Sequence, residues 1–363
     1  MCKKIFIAAT GQHTGKTTIS ISLMHLARKK YSRVGFIKPI GPKCVTYHGM
    51  TMDMDAVLMA SIYGLNQDIR YMSPVVLPRG TTRRFLDHEF PLDYQKELLV
   101  TAIQELEQRH DLLIIEGSGH GGVGSILGLN NAQVARLAGS PVLMITNGGI
   151  GNVVDSVELN LALYEKHQAD VRMVLVNKLV PEKRESTLDY LQKAFSGSYL
   201  KISGAFDYSP ILANPTLQNI SRLLKHPLHG NPEGRNRIVH HIHLGAASSQ
   251  TVIDHLMDST LLITTSSRDE LLVTASSLYN IPAFRDKIAG LVVPGHTPVS
   301  AITQSILDES GIPYIRIHKS TAEVYSALLD HVSKITAEDT EKLDLLHSSA
   351  ETYINFEEID ALF

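Results

Sequence analysis

The apolar run Ile5-Phe6-Ile7 passes straight into Ala8-Ala9-Thr10-Gly11-Gln12-His13-Thr14-Gly15-Lys16-Thr17-Thr18, and no other stretch limits the fold as tightly. A short buried strand, a glycine-containing loop ending in Gly-Lys-Thr-Thr, and an amphipathic run with Ile19, Leu23, Leu26 and Ala27 on one face make a nucleotide phosphate cradle. Gly15 allows the tight curvature that turns successive amides, and the free N–H groups of the new helix, toward phosphate oxygens. Lys16 adds a mobile positive charge near the transferred phosphoryl group, and the Thr17 hydroxyl is placed to ligate magnesium. Residues 10–18 are therefore the expected ATP-binding loop. The common pattern has glycine five positions before Gly15, where this chain has Thr10.

With 363 residues the chain is long enough for two cores. Lys plus Arg (34) against Asp plus Glu (37) leaves a formal charge of −3, which supplies no basic field for nucleic acid. The start, Met1-Cys2-Lys3-Lys4 and a short apolar run, is too short for a secretory signal, and no apolar run reaches the roughly 20 residues of a membrane span. Two cysteines, Cys2 and Cys44, make no disulfide framework, so a cytoplasmic location is expected.

Downstream, the spacing predicts a strand over 33–37 that ends at Lys38-Pro39, placing Lys38 at the carboxyl edge where open α/β sheets bind ligands. A helix beginning near residues 51–59 carries Asp53 and Asp55. Either acid suits a cap, and Asp55 also suits an approach to the ion held by Thr17. Residues 71–94, with Pro74, Pro78, Gly80 and Pro91, form secondary structure poorly; Arg79, Arg83 and Arg84 there either close over phosphates or decorate a loop. After a helix over 92–109, the four aliphatics of 112–115 predict a strand buried on both faces. Glu116 at its end is the best acidic site candidate.

A glycine run through His120, Gly121, Gly122 and Gly124 follows, then a helix over 131–138, strands over 142–145 and 171–176, the turn 146–152 and the pair Asn177-Lys178. Repetition of strand, glycine-rich turn and helix is the pattern of a doubly wound, mostly parallel α/β sheet. Turn residues crowd 226–234, which divides a P-loop domain (1–225) from a smaller α/β domain (235–335) and a helical tail (336–363). The second domain alternates strands near 238–244, 261–264, 288–293 and 314–317 with four helices and has no phosphate loop. His241 and His243 share a strand face while His240 points away, and no cysteine or acid completes a zinc set. In the tail, Leu343, Leu346 and Ala350 give a helix over 337–353 an apolar face, expected to pack on the second domain or on another subunit.

The first 225 or so residues resemble the dethiobiotin synthetase fold family, which includes the amidotransferases of cobyrinic acid. Thr10 to Thr17, Lys38-Pro39, Asp55, Glu116-Gly117, Gly148-Gly149-Ile150-Gly151 and Asn177-Lys178 carry the resemblance in order and spacing. It implies Mg-ATP in the loop, Thr17, Asp55 and Glu116 around the metal, Lys16 and Lys38 facing the phosphoryl group, and Asn177 reading adenine. It also implies a homodimer with the site near the subunit contact. The chain departs from that pattern at Ala9, Pro42, His120 and Ala205-Phe206-Asp207, so the nucleotide half of the site is better supported than the acceptor half.

In the second domain, residues 261–264, Ser267-Arg268-Asp269-Glu270, residues 289–292 and Ile312-Pro313-Tyr314 resemble the DRTGG domain, with Arg268-Asp269 the nearest remnant of its signature. Arg268-Asp269 at a helix start suits either a ligand or simple capping by Asp269. The two-part order is similar to the amino-terminal region of long phosphate acetyltransferases. Three functions follow as expectations: a regulatory ATP-binding sensor of an unidentified small molecule, an ATP-dependent ligase or amidase, and a silent dimeric scaffold. Buried charges without a ligand argue against the last.

Overall fold

Strands whose residues are almost all buried must carry layers on both faces, and the first part of the chain supplies several of them. The computed structural model describes residues 2–89, 91–329 and 334–362. It divides into two compact units: residues up to Tyr208 together with the segment from Leu343 onward, and Ser209–Lys342.

The strands of the first unit are β1 (Lys3–Ala9), β2 (Val34–Ile37), β3 (Ile40–Gly41), β4 (Cys44–Tyr47), β5 (Met50–Asp53), β6 (Val75–Val76), β7 (Leu112–Glu116), β8 (Val142–Asn147), β9 (Val171–Asn177) and β10 (Lys201–Gly204). Six form one sheet in the order β10-β9-β8-β1-β7-β2, parallel throughout. β1 lies between β7 and β8, so the strand order reverses around it and a crevice opens at its carboxyl end. On one face Phe6, Ile115, Met144 and Val174 pack with Leu99, Ile103, Ala135, Val157 and Tyr164 from the covering helices. Two features were not expected from residues 40–76: β3 pairs with β6, and β4 and β5 form an antiparallel hairpin.

Helix α1 (Lys16–Lys30) buries Ile19 through Met24 without a break. A helix on a sheet normally leaves one side to water; here the outer side is covered by the carboxyl-terminal segment. Leu346 and Ala350 are fully buried and Leu343, Ile354 and Ile359 nearly so. Of the tail expected over 336–363 to pack on the second domain or on another subunit, the part from Leu343 onward belongs to the first unit and the residues up to Lys342 to the second. Five ion pairs flank this apolar contact. Glu351 meets His25 at 2.8 Å and Lys29 at 2.5 Å, Lys30 meets Glu357 at 2.6 Å and Asp360 at 2.8 Å, and Lys3 lies 3.5 Å from Asp360. The apolar stripe of the tail was legible in sequence, but the acids that pick its partner lie between stripe positions.

This strap is expected to loosen in acid. His347 stacks on His25 with ring centroids 4.1 Å apart, its Nε2 is 3.3 Å from the Tyr63 hydroxyl, and Asp344, Glu351 and Lys29 are the other charges around it. Burial and the neighbouring His25 hold the His347 imidazole below its ordinary value. A depressed pKa means that the released segment binds the proton better, so stability is lost as pH falls below about 6.5. Hydrogen exchange over 343–362 should rise in that range while β1 and β7 stay protected; unchanged protection of the segment would refute it.

The second unit holds β11 (Leu228–His229), β12 (His241–Leu244), β13 (Thr260–Ile263), β14 (Ile288–Pro294) and β15 (Tyr314–Ile317) in the order β11-β15-β14-β13-β12. Only β11 runs antiparallel. The expected domain break at 226–234 falls within this unit. The helix Leu217–Leu224 presents Leu217, Ile220 and Leu224 at helical spacing to Ile263, Val292 and Ile315. The opposite face packs Leu271, Leu272 and Ala275 on Leu262 and Leu291. The last of the four expected helices is described as Thr321–Leu329, and residues 330–333, where it was expected to continue, lie outside the described residues.

Candidate functional site

The loop between β1 and α1 is shaped by its own backbone and by two side chains from the end of β9. Gly15 caps α1 with φ 103°, a conformation that a side chain resists. A Cβ built there would lie 2.3 Å from Asn177 Nδ2. Asn177 donates from Nδ2 to Thr14 O at 2.8 Å and accepts on Oδ1 from Phe206 N–H at 3.3 Å. Lys178 Nζ donates to His13 O at 2.7 Å, where His13 also has positive φ. Thr10 donates to the Thr146 hydroxyl at 3.1 Å, and the Thr14 hydroxyl reaches Gly11 O at 3.4 Å. Gln12 and His13 are exposed, Gly11 and Thr18 half-buried, and Thr18 O accepts from Ser22.

Both polar ends of Asn177 are thus engaged in holding the loop, whereas the resemblance has this residue reading adenine. Asn177→Ala is expected to weaken ATP and GTP binding by the same factor, about five- to tenfold for roughly 1–1.5 kcal/mol of lost hydrogen bonding. Calorimetry with both nucleotides checks this; selective loss of ATP would restore the base-reading role.

Lys16, 8% exposed, donates to Gly119 O and, at 3.4 Å, to Gly11 O. Burial and the nearby Lys38 lower its pKa to about 8. Thr17 Oγ1 donates to Glu116 Oε1 at 3.1 Å. Lys38, 3% exposed, bridges Glu116 Oε1 at 2.7 Å and Asp55 Oδ2 at 3.0 Å and donates to Gly117 O at 3.2 Å. Burial opposes its charge, but the carboxylates of Glu116 and Asp55 outweigh burial and hold the ammonium above the ordinary lysine value. Glu116 is fully buried, and its Oε2 has no hydrogen-bond partner among the described residues. Four residues far apart in sequence, Thr17, Lys38, Asp55 and Glu116, therefore meet at the carboxyl edge of β1, β2 and β7.

The two acids left open by sequence separate cleanly. Asp53 caps α2 (Met54–Tyr63) by accepting from Asp55 N–H at 2.9 Å, while Asp55 turns to Lys38. Burial and Asp55 raise the Asp53 carboxyl to about 6. Asn131 was missed by sequence reading. Its Oδ1 accepts from Ser118 N–H at 3.0 Å and its Nδ2 donates to Ser118 O at 2.9 Å and His120 O at 2.8 Å, folding the glycine run into a fixed turn. The Ser118 hydroxyl is spent on Ile40 O. Arg79, Arg83 and Arg84 are exposed, and Arg84 pairs with Glu89 at 2.6 Å.

In the second unit Arg268, not Asp269, occupies the cap position of the helix Asp269–Tyr279, and neither side chain caps it. The Arg268 guanidinium instead donates to the carbonyls of Gly245, Ala246 and Ala247. It is a tether for that loop. Elsewhere in the unit a cavity of about 550 Å³ is lined by Tyr279, Arg237, Arg285, Asp286, Asp339 and Lys342 among others. Among the described residues no cluster of three metal-type side chains occurs, and no helix is long and apolar enough to cross a membrane.

Residues 3–216 match the family model described as an AAA domain, and residues 220–330 match the DRTGG domain. A phosphate acetyltransferase of Nitratidesulfovibrio vulgaris is 22% identical over 99% of this chain and 51% of its own length. A cobyric acid synthase of Pelotomaculum thermopropionicum is 27% identical over 53% of this chain and 41% of that protein. An ATP-dependent dethiobiotin synthetase of Thermodesulfovibrio yellowstonii is 22% identical over 50% of this chain and 78% of the synthetase. The chain spans about half the length of the phosphate acetyltransferase it matches. It belongs to the AAA domain family, as a P-loop unit fused to a DRTGG domain.

Proposed function

We propose that this chain is a Mg-ATP-binding regulatory module whose first unit holds the nucleotide and whose second unit senses a small metabolite. The observation that carries the reading is the buried set Thr17, Lys38, Asp55 and Glu116 beside Lys16, with Glu116 Oε2 left without a partner. A buried carboxylate oxygen with no donor is costly, and a divalent ion or its water beside the Thr17 hydroxyl relieves that cost. The residues thus fit magnesium. Thr17, Asp55 and Glu116 would hold the ion, which would neutralise charge on the phosphates; Lys16 and the loop amides hold the phosphates themselves.

The sensing role draws on the second unit, which has a cavity of its own, and on the match of nearly the whole chain to about half the length of a phosphate acetyltransferase. A homodimer in the cytoplasm belongs to the same proposal. The match to a dethiobiotin synthetase favours one alternative, a ligase acting on a small acceptor. Against it, the Ser118 hydroxyl near Lys38 is already committed to Ile40 O, and Pro42 stands where that family has a serine. Phosphate release measured with and without a diamine and bicarbonate separates the two: acceptor-independent, slow release with tight ATP binding fits the module, and acceptor-dependent turnover replaces it with the ligase.

A further inference from the structure

Two of the three groups expected around the magnesium ion, Asp55 and Glu116, are already joined by a cation belonging to the chain. Lys38 Nζ lies 3.0 Å from one carboxylate and 2.7 Å from the other, and its side chain is almost wholly buried. Two buried acids this close repel each other, and an ammonium between them removes the repulsion. It does so incompletely, since it carries a single charge and leaves Glu116 Oε2 unpartnered. Lys38 sits on Glu116 Oε1 and Asp55 Oδ2, and a divalent ion drawn to Glu116 Oε2 shares the carboxylate though not the oxygen; two cations that close repel each other, strongly so away from water. Lys38 in this position and a metal ion on Asp55 and Glu116 are therefore competing states.

We propose that Lys38 is a built-in counter-ion that keeps the Asp55–Glu116 pair closed to divalent metal until a nucleotide arrives. Bound phosphates give the ammonium another anionic partner, and its departure frees both acids for the ion. This rests on the Mg-ATP reading of the same site, and it adds a regulation: metal and nucleotide bind together, each raising the affinity for the other by the same factor. The sequence holds the reason for this arrangement. β2 ends at Ile37 and Lys38-Pro39 follow it, so the lysine sits at the carboxyl edge of the sheet with its side chain reaching Glu116 at the end of the neighbouring strand β7.

The test uses the full chain and Mn2+ as the probe metal. Without nucleotide, the wild-type protein should bind Mn2+ weakly, and Lys38→Met should bind it at least about tenfold more tightly. Mn2+ alone should raise the melting temperature of Lys38→Met and leave the wild type unmoved. Lys38→Arg, which retains the charge, should resemble the wild type in metal affinity. If Lys38→Met does not fold in metal-free buffer, refolding with Mn2+ should recover it, and failure to recover it overturns the proposal. Equal Mn2+ affinity of wild type and Lys38→Met also overturns it. A parallel titration of the wild type with Mg-ATP keeps the two ideas apart: no binding there rejects the nucleotide site itself, whereas binding without a metal gain in Lys38→Met rejects only the counter-ion.

Discussion

Glu116→Ala is expected to destabilise the first unit by about 3–5 kcal/mol, the usual cost of removing one partner of a buried ion pair. Glu116 ends β7, is fully buried, and accepts from both Lys38 and the Thr17 hydroxyl. Alanine leaves Lys38 buried with Asp55 as its remaining carboxylate, strands the threonine hydroxyl, and opens a hole between β7 and α1. Glu116→Gln retains an oxygen for both donors, but it puts an amide where Oε2 now has no partner, so a smaller loss of about 1–3 kcal/mol is expected. Urea unfolding of the three proteins in metal-free buffer reads the difference. A loss below about 1 kcal/mol for alanine would mean that Lys38 finds other acceptors and that the cluster is not a closed electrostatic unit.

How much of this site was legible in the sequence depended on how local each signal was. The β1 strand, the loop and α1 are contiguous, so one stretch fixed the element types, and Glu116 was marked by the four aliphatics before it. Lys38 was placed at the sheet edge by Pro39. That it meets Asp55 and Glu116 needed the strand order, which puts β7 between β1 and β2. Asp53 and Asp55 are two residues apart at a helix start, and local chemistry alone does not choose between cap and cluster. Asn131 is the first residue of a helix capped by Asn130; its clamp on Ser118 and His120 spans a glycine run whose path no periodicity reveals. Asn177 was read through a resemblance, and its hold on Thr14 O and Phe206 N–H needed the strand ends to be placed. The tail showed an apolar stripe, which promises burial without naming a surface. Its ion pairs to His25, Lys29 and Lys30 of α1 involve acids that the stripe does not mark.

Lys16→Ala should weaken ATP binding by about a hundredfold, because a charge-assisted contact to phosphate of up to roughly 3 kcal/mol is lost. The same change should cost little stability. Lys16 is held by carbonyl oxygens of Gly11 and Gly119 and, among the described residues, by no carboxylate hydrogen bond or ion pair, and burial together with Lys38 already depresses its pKa to about 8. Folding thus disfavours its charge, and the charge is there for a ligand. The sign of the pH effect follows. An anion in the loop favours the protonated lysine, so wild-type ATP affinity falls as pH rises through about 8, where the free protein loses that proton. The alanine variant, with no such proton, should be flatter over the same range. AMP, which does not reach the β- and γ-phosphate positions where this lysine acts, should bind both proteins alike. Calorimetry with ATP and AMP from pH 7 to 9 checks all three; an alanine variant that binds ATP as the wild type does would remove Lys16 from the phosphate site.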